Sequence, residues 1–269
     1  MLELYHHGSS VCAAKVRIYL AEKGLDWSGH YIDILKGDQF DPAYIKLNPK
    51  AVVPTLLHDG DVICDSTVIC EYIENTFVER PLRPEDPLQI AKVMEWTKAV
   101  DEELHPACAW LTFLTCHRHI ILRLGDQGVE DFLNSTPRFS VTSNWLETKK
   151  SIVRNGFQAE GAEAKVRLYD YYLHKMESAL EKREWLASDS FTFADIAIMP
   201  YVNRLDMLSL DQMWKNGRLP GVENWFSRIK ARDSFKPMLL DWCPEDLTND
   251  LRDYGKTSWP EVRKILGIT

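Results

Sequence analysis

"KAVVPTLLHDGDVICDST", residues 50–67, holds a proline-led strand, a tight turn, a second strand and a helix start in one run. The residue before a proline is pushed out of the α region, so Val53-Pro54 opens an extended segment rather than a helix. Asp59-Gly60 accepts the positive φ of a two-residue hairpin loop between apolar strands. Asp65-Ser66 then begins a pattern in which Ile69, Tyr72 and Ile73 recur at helical spacing. Two features stay open on local grounds. A trans Val53-Pro54 bond simply opens the strand. A cis bond turns the Val53 backbone N–H and C=O outward, where an extended peptide pairs with them as an added strand. Asp65-Ser66 is either an ordinary helix start or a recognition point. In the second case the Ser66 hydroxyl and first-turn amides donate to a carboxylate, while Asp65 accepts from an ammonium, which suits a zwitterion.

Working outward, "LELY", "VCAAKVRIYLAEKG" with its Lys-Gly stop, and "HYIDI" complete a strand-helix-strand opening. Residues 1–78 therefore read as a compact α/β domain. "VERPLRPEDP", residues 78–87, has three prolines and mixed charge, so residues 79–87 read as a linker. Helical periodicity dominates from residue 88 to 269, in "LQIAKVMEWTKAVDEEL", "AKVRLYDYYLHKMESALEK" and "DIAIMPYVNRLDML", which predicts an all-α second domain. Broken periodicity over about 124–162 predicts a long inserted loop, a candidate lid. Residues 243–269 read as a partly ordered extension. No internal repeat interrupts this organisation.

Bulk properties narrow the function. The chain has 269 residues, 45% hydrophobic and 27% charged, which is enough to bury a sizeable core. A net charge of −8 offers no field for phosphate backbones or anionic lipid, so neither nucleic acid nor membrane is an expected partner. The longest apolar run, "ACAWLTFL", is far short of the roughly 18 residues of a membrane span, and "MLELYHHG" lacks a basic leader. The expected compartment is the cytoplasm. The cysteines at 12, 64, 70, 108, 116 and 243 form no close metal-type pairs, and a reducing compartment keeps them as thiols. His117 and His119 are splayed by their i, i+2 spacing on a helix, so no metal is expected.

The strand-helix-strand-helix opening, V-P-T-L, D-S and a helical second domain together resemble the cytosolic glutathione transferase family over nearly the whole chain. The resemblance implies a thioredoxin-like N-terminal domain plus an all-α C-terminal domain. It also implies glutathione as cosubstrate, with Val53 pairing to its cysteinyl backbone, a cis Pro54, and Asp65 with Ser66 at the γ-glutamyl end. Relatives often carry a polar side chain at the position of Ala51, so contact with the glycyl carboxylate passes to Lys36, Gln39 or Lys50. "FTFADIA", residues 191–197, is similar to the family's folding signature, in which Thr192 caps a buried helix, Asp195 reaches back to it, and Phe191 with Ile196 forms a staple.

"HHGSSVCAAKVR", residues 6–17, carries the chemistry. Ser10 lies where the first strand gives way to helix, so its hydroxyl can accept from a first-turn N–H and still donate to a sulfur. Lowering a thiol pKa of ~8.5 by ~2 units needs ~2.7 kcal/mol, within reach of one hydrogen bond to an anion (~1.5–3) plus a helix N-terminus (~0.3–1). Ser10 is thus a candidate thiolate stabiliser as well as a cap. Cys12 shares a face with Val16 and Tyr19, as a small core residue would. Its place in the first turn also fits a reactive cysteine, and S-x-C-x-x-K-x-R resembles the active-site loop of tetrachlorohydroquinone reductive dehalogenases. In those, such a cysteine attacks a glutathionyl-aromatic intermediate and releases reduced product.

"CDSTVICEYIENTF", "LRPEDP", "WTKAVDE" followed by "CHRH", and "RNGFQAE" resemble the bacterial glutathione-dependent β-aryl etherases of lignin degradation. Those enzymes usually carry Asn-Ser where this chain has Cys12 and Ala13. In either branch glutathione thiolate displaces a leaving group from a hydrophobic aromatic small molecule. Trp110, Phe113 and His117, at i, i+3 and i+7, form a candidate stripe of the substrate pocket, expected between the domains. A catalytically silent subunit on the same fold is the non-enzymatic alternative, and a homo- or heterodimer of transferase subunits is the expected assembly.

Overall fold

A computed structural model describes residues 1–135 and 143–268. Strands β1 (Leu2–His6), β2 (Ser28–Tyr31), β3 (Thr55–His58) and β4 (Asp61–Cys64) form one sheet in the order β2-β1-β3-β4. β2 runs parallel to β1, which requires a crossover, and helix α1 (Val11–Lys23) supplies it. Gly24 ends that helix in the left-handed region at φ 69°, where its N–H reaches the Leu20 and Ala21 carbonyls. Asp59 and Gly60, at φ 51° and 95°, make the expected tight hairpin between antiparallel β3 and β4. Helix α3 (Ser66–Thr76) follows directly. Leu4, Val16, Leu20, Leu56, Ile69 and Ile73 fill the core between sheet and helices.

Register positions the site. Tyr5 pairs with Thr55, Thr55 with Cys64, and His6 with Tyr31. The chain leaving β1, β2 and β4 and the chain entering β3 therefore lie at one end of the sheet. The short helix α2 (Pro42–Leu47) carries no signal in the sequence reading. It is set by Asp41, whose side chain accepts from the Ala43 N–H at 2.7 Å, and by Pro42 in the first turn.

The chain packs into two compact units, one made of residues 1–98, 182–200 and 224–244, the other of 99–181, 201–223 and 245–269. In the first, the irregular stretch after α3 is tied down by Glu74. One Glu74 oxygen accepts from the Leu82 and Arg83 N–H groups, and the other from the Tyr19 hydroxyl at 2.7 Å and Lys23 Nζ at 3.0 Å. Helix α4 (Pro87–Ala99) begins at the last of the linker prolines. The capping pair forms as expected, with Ala194 N–H donating to Thr192 Oγ1 and Thr192 N–H donating to Asp195 Oδ2. Asp195 Oδ1 also accepts from the Trp225 indole at 2.9 Å and from Leu186 N–H, so burial alone raises this carboxyl's pKa while its donors oppose the rise. The Phe191 ring packs on Trp185 and on the Arg232 guanidinium.

In the second unit, helices α5 (His105–Thr112) and α6 (Arg118–Leu122) are joined by a wider π-type turn at Phe113–His117. The expected loop over 124–162 is corrected by helices α7 (Gly125–Asn134) and α8 (Trp145–Asn155). Each is short, and Gly125 and Gly156 at their ends, with φ 70° and 55°, break the periodicity that would reveal them. Val129 and Leu133 on α7 meet Val153 on α8 and Ile121 on α6 in a small core. Residues 136–142, the centre of the expected lid, lie outside the described residues.

Helix α9 (Ala162–Leu180) follows, then α10 (Phe193–Met207) and α11 (Pro220–Lys230), the last two shared between or split among the stretches above. The expected partly ordered extension is likewise corrected, because α12 (Glu245–Leu266) is one continuous helix. Its buried positions Leu247, Leu251, Gly255, Ser258 and Val262 form a stripe that the interspersed charges and Pro260 obscure. At Gly255 the Leu208 carbonyl occupies the space of a side chain, so only glycine permits that approach.

Candidate functional site

Ser10 caps α1 in an extended conformation (φ −75°, ψ 115°), its Oγ accepting from the Ala13 N–H at 3.1 Å. That bond uses a lone pair and leaves the hydroxyl proton for another acceptor. The Ser10 N–H donates to the His7 carbonyl at 3.2 Å, closing the turn that delivers the hydroxyl to the sheet end. Cys12, half-buried in the first helical turn, precedes a fully buried run that includes Val16 and Tyr19.

The Val53–Pro54 bond is cis, resolving the alternative that local sequence left open. Tyr44 and Asn48, neither singled out in the sequence, brace this loop. The Tyr44 hydroxyl donates to the Val52 carbonyl at 2.6 Å, and Asn48 Nδ2 donates to the same carbonyl at 2.9 Å and to Thr55 Oγ1 at 3.0 Å. Asp65 holds a positive φ of 75° and takes the capping role at α3, accepting from the Thr67 N–H. Ser66 is therefore not the cap; it is a buried residue of the first turn. A non-glycine residue at such a φ marks a place where surrounding structure imposes the conformation.

Sheet register gathers Ser10, Val53, Pro54, Asp65 and Ser66 at one end, although they come from three separate stretches. Lys36 and Gln39 sit on the chain leaving β2, at the same end. Lys36 is exposed and its Nζ lies 3.1 Å from Asp33 Oδ2. Burial pushes the Asp33 carboxyl up, but the Lys36 ammonium and the Leu35 N–H outweigh it and hold the carboxyl below its usual range. Gln39 donates to the Ile34 carbonyl at 3.2 Å while its Oε1 is buried with no hydrogen-bond partner among the described residues. Lys50 is exposed, its N–H on Asn48 Oδ1 at 3.1 Å.

Two cations of α1 were legible only as part of a motif. Lys15 is fully buried and donates to Thr67 Oγ1 at 2.7 Å, linking α1 to the start of α3. Arg17 is also fully buried; its Nη1 donates to the His7 carbonyl at 3.1 Å and its Nε to the Met238 carbonyl at 2.8 Å. Burial lowers the Arg17 pKa to about 10. Burial, followed by the fields of Arg17, His7 and His30, lowers the His6 pKa to about 3, so His6 is neutral. Beside them His7 Nδ1 lies 3.0 Å from Ser9 Oγ, and its Nε2 lies 3.8 Å from Asp33 Oδ1.

Within the second unit, the Phe113 and His117 rings meet edge to face at 5.1 Å on the π-type turn and are half-buried. Wider turns of this kind recur at functional sites. Trp110 is instead a core residue, packed with Leu114, Trp145 and Ile152. His119 stacks on Tyr254 at 4.6 Å. Among the described residues no group of three or more His, Cys, Asp or Glu is arranged to hold a metal, and all six cysteines are thiols.

Residues 9–76 match the glutathione S-transferase N-terminal domain family and residues 141–233 the glutathione S-transferase C-terminal domain family. The protein LigF of Sphingobium sp. strain SYK-6 is 31% identical over 250 residues, covering 91% of this chain and 96% of LigF. The crystal structure of that protein, described as a β-etherase, superposes with a TM-score of 0.78 over 88% of this chain and 98% of its own. The tetrachloro-p-hydroquinone reductive dehalogenase of Sphingobium chlorophenolicum is 25% identical, over 87% of this chain and 94% of its own length.

Proposed function

This chain belongs to the glutathione S-transferase family, whose cosubstrate is glutathione, and on that premise we propose that Ser10 activates the glutathione thiol for cleavage of a lignin-type β-aryl ether. The thiolate attacks the ether carbon, the C–S bond forms as the C–O bond breaks, and a phenolate leaves and takes up a proton. The observation that carries this reading is the Ser10 cap geometry. Its oxygen accepts from the Ala13 N–H at 3.1 Å, which leaves the hydroxyl proton available for donation to a sulfur at the N-terminus of α1. The likeness to a β-etherase across 91% of the chain supports the aryl-ether substrate class. Val53, Pro54, Asp65 and Ser66 are the proposed glutathione-binding residues, with Lys36, Gln39 and Lys50 near its glycyl end. Phe113 and His117 are the proposed aromatic contacts, with Trp110 behind them. The proposed setting is the cytoplasm, as a homo- or heterodimer.

A second reading is favoured by one observation, the half-buried Cys12 thiol in the first turn of α1. There the enzyme is a reductive dehalogenase of chlorinated hydroquinones, and Cys12 attacks the glutathionyl sulfur of the intermediate. The two differ in stoichiometry. Ether cleavage consumes one glutathione and leaves a thioether, whereas dehalogenation consumes two and generates the disulfide. Incubating the protein with glutathione and a mixed panel of aryl ethers and chlorophenols, with product masses measured, tests both. A glutathionyl thioether plus free phenol supports the etherase. No conversion of any aryl ether sinks it.

A further inference from the structure

Arg17 is a buried cation without a carboxylate partner among the described residues. Its side chain is wholly excluded from solvent, yet its contacts are to neutral groups: the carbonyls of His7 and Met238, His6 Nδ1 at 3.4 Å, and the Trp242 ring at 5.9 Å. Its Nη2 has no hydrogen-bond partner among the described residues, and neither does His6 Nε2. A buried charge left uncompensated is costly, so a site that retains one gains when an anion arrives near it. The loop above it is the one that ends in Ser10. Arg17 Nη1 and the Ser10 N–H donate to the same oxygen, that of His7, at 3.1 and 3.2 Å.

We infer that Arg17 is a positioning residue for thiolate formation: it clamps the His7 carbonyl that sets the Ser10 turn, and its uncompensated charge favours the anionic sulfur at that turn. The inference rests on the reading of Ser10 as the thiol-activating residue. The groups facing the guanidinium are few. From β1 and the turn after it come His6 and His7, from β2 Tyr31, and from the segment before α12 Cys243. The Asp33 carboxylate addresses His7 Nε2 and is held by Lys36, and Lys15 on α1 points to Thr67. A buried charge acts through low dielectric and escapes the screening that weakens surface charges, which makes it an effective source.

The test is a titration of the thiolate absorbance of enzyme-bound glutathione in the wild type, Ser10→Ala, Arg17→Met and Arg17→Lys, with glutathione affinity measured alongside. Arg17→Met is expected to raise the bound-thiol pKa by about one unit or more with affinity changed less than about threefold, and Arg17→Lys to fall between it and the wild type. An Arg17→Met titration that overlays the wild type, while Ser10→Ala is shifted, overturns the role of Arg17 and leaves that of Ser10 standing. A wild-type complex with no thiolate at neutral pH overturns both. If Arg17→Met does not fold, the wild type decides: its bound-thiol pKa should stay constant from about 0.05 to 0.5 M salt, and a rise across that range places the source at the surface.

Discussion

The backbone carbonyl of Trp242 lies against Gly8, so close that a side chain on Gly8 would overlap it, with the Cys243 nitrogen 3.1 Å from the same position. The Trp242 ring then packs edge-on to His6 at 4.5 Å. A segment far along the chain thus forms the back wall of the turn that presents Ser10. Gly8→Ala should therefore displace that wall, costing on the order of 1–3 kcal/mol and lowering turnover more than a surface substitution would. Chemical denaturation with an activity assay checks it, and an unchanged midpoint would show that the two backbones separate freely.

Ser10→Ala should leave glutathione affinity nearly intact if, as proposed, the lost hydroxyl meets the sulfur rather than the peptide. Turnover at neutral pH should fall ~10-fold or more as the bound-thiol pKa rises. Calorimetry and a pH–rate profile separate the two quantities. An unshifted profile with full turnover removes Ser10 from the chemistry.

Ser66→Ala should do the reverse. Asp65 caps α3, so the substitution spares the helix start and removes a proposed donor to the γ-glutamyl carboxylate. Glutathione should bind ~1–2 kcal/mol more weakly, with turnover at saturation retained, because that contact is made equally in ground and transition states. Unchanged affinity in calorimetry would leave Ser66 a packing residue.

Cys12→Ser distinguishes the two enzyme readings. Ether cleavage should survive, since it needs no enzyme sulfur, and stability should change by less than ~1 kcal/mol because Cys12 is only half-buried. Accumulation of a glutathionyl-aromatic thioether from a chlorinated hydroquinone, where the wild type releases reduced phenol, would make Cys12 catalytic instead.

His6 predicts a pH dependence of stability. Its pKa falls from 6.5 to about 3 on folding, so between those values the unfolded chain binds the extra proton. Its contribution is complete above about pH 6.5 and is lost as pH falls toward 3, at about 1.4 kcal/mol per pH unit. Denaturation midpoints from pH 7 to 4 should decline more steeply in the wild type than in His6→Phe. Parallel declines would mean that His6 does not set this slope.

Local chemistry made much of the first unit readable. Asp59-Gly60 announces its hairpin because few other dipeptides accept two positive φ angles, and Lys23-Gly24 announces the end of α1. Thr192 and Asp195 satisfy each other within one helical turn, so their pairing is written in four residues. Helices α7, α8 and α12 escaped because their cues are distant. Lys149 and Pro260 interrupt their apolar stripes, and those stripes bury only against partners supplied by other helices, such as Ile121 for Val153 and Leu208 for Gly255.

The sequence by itself determined the strand-helix-strand opening and the glycine and cap positions, since each depends on neighbours within a few residues; it offered Ser10 as a candidate group from its place before a helix, and Val53, Pro54, Asp65 and Ser66 through the family resemblance. Only the tertiary structure decided the rest. Sheet register, a property of paired strands, brings those groups to one end through the Tyr5–Thr55 and Thr55–Cys64 pairings. The cis state of the Val53–Pro54 bond, which the local sequence left open, is seen only in the folded chain, where Tyr44 and Asn48 hold the neighbouring Val52 carbonyl. Arg17 enters the sequence reading only as the last residue of the S-x-C-x-x-K-x-R motif. It is a buried cation that holds the His7 carbonyl because Met238 and Trp242 return from far along the chain to cover it.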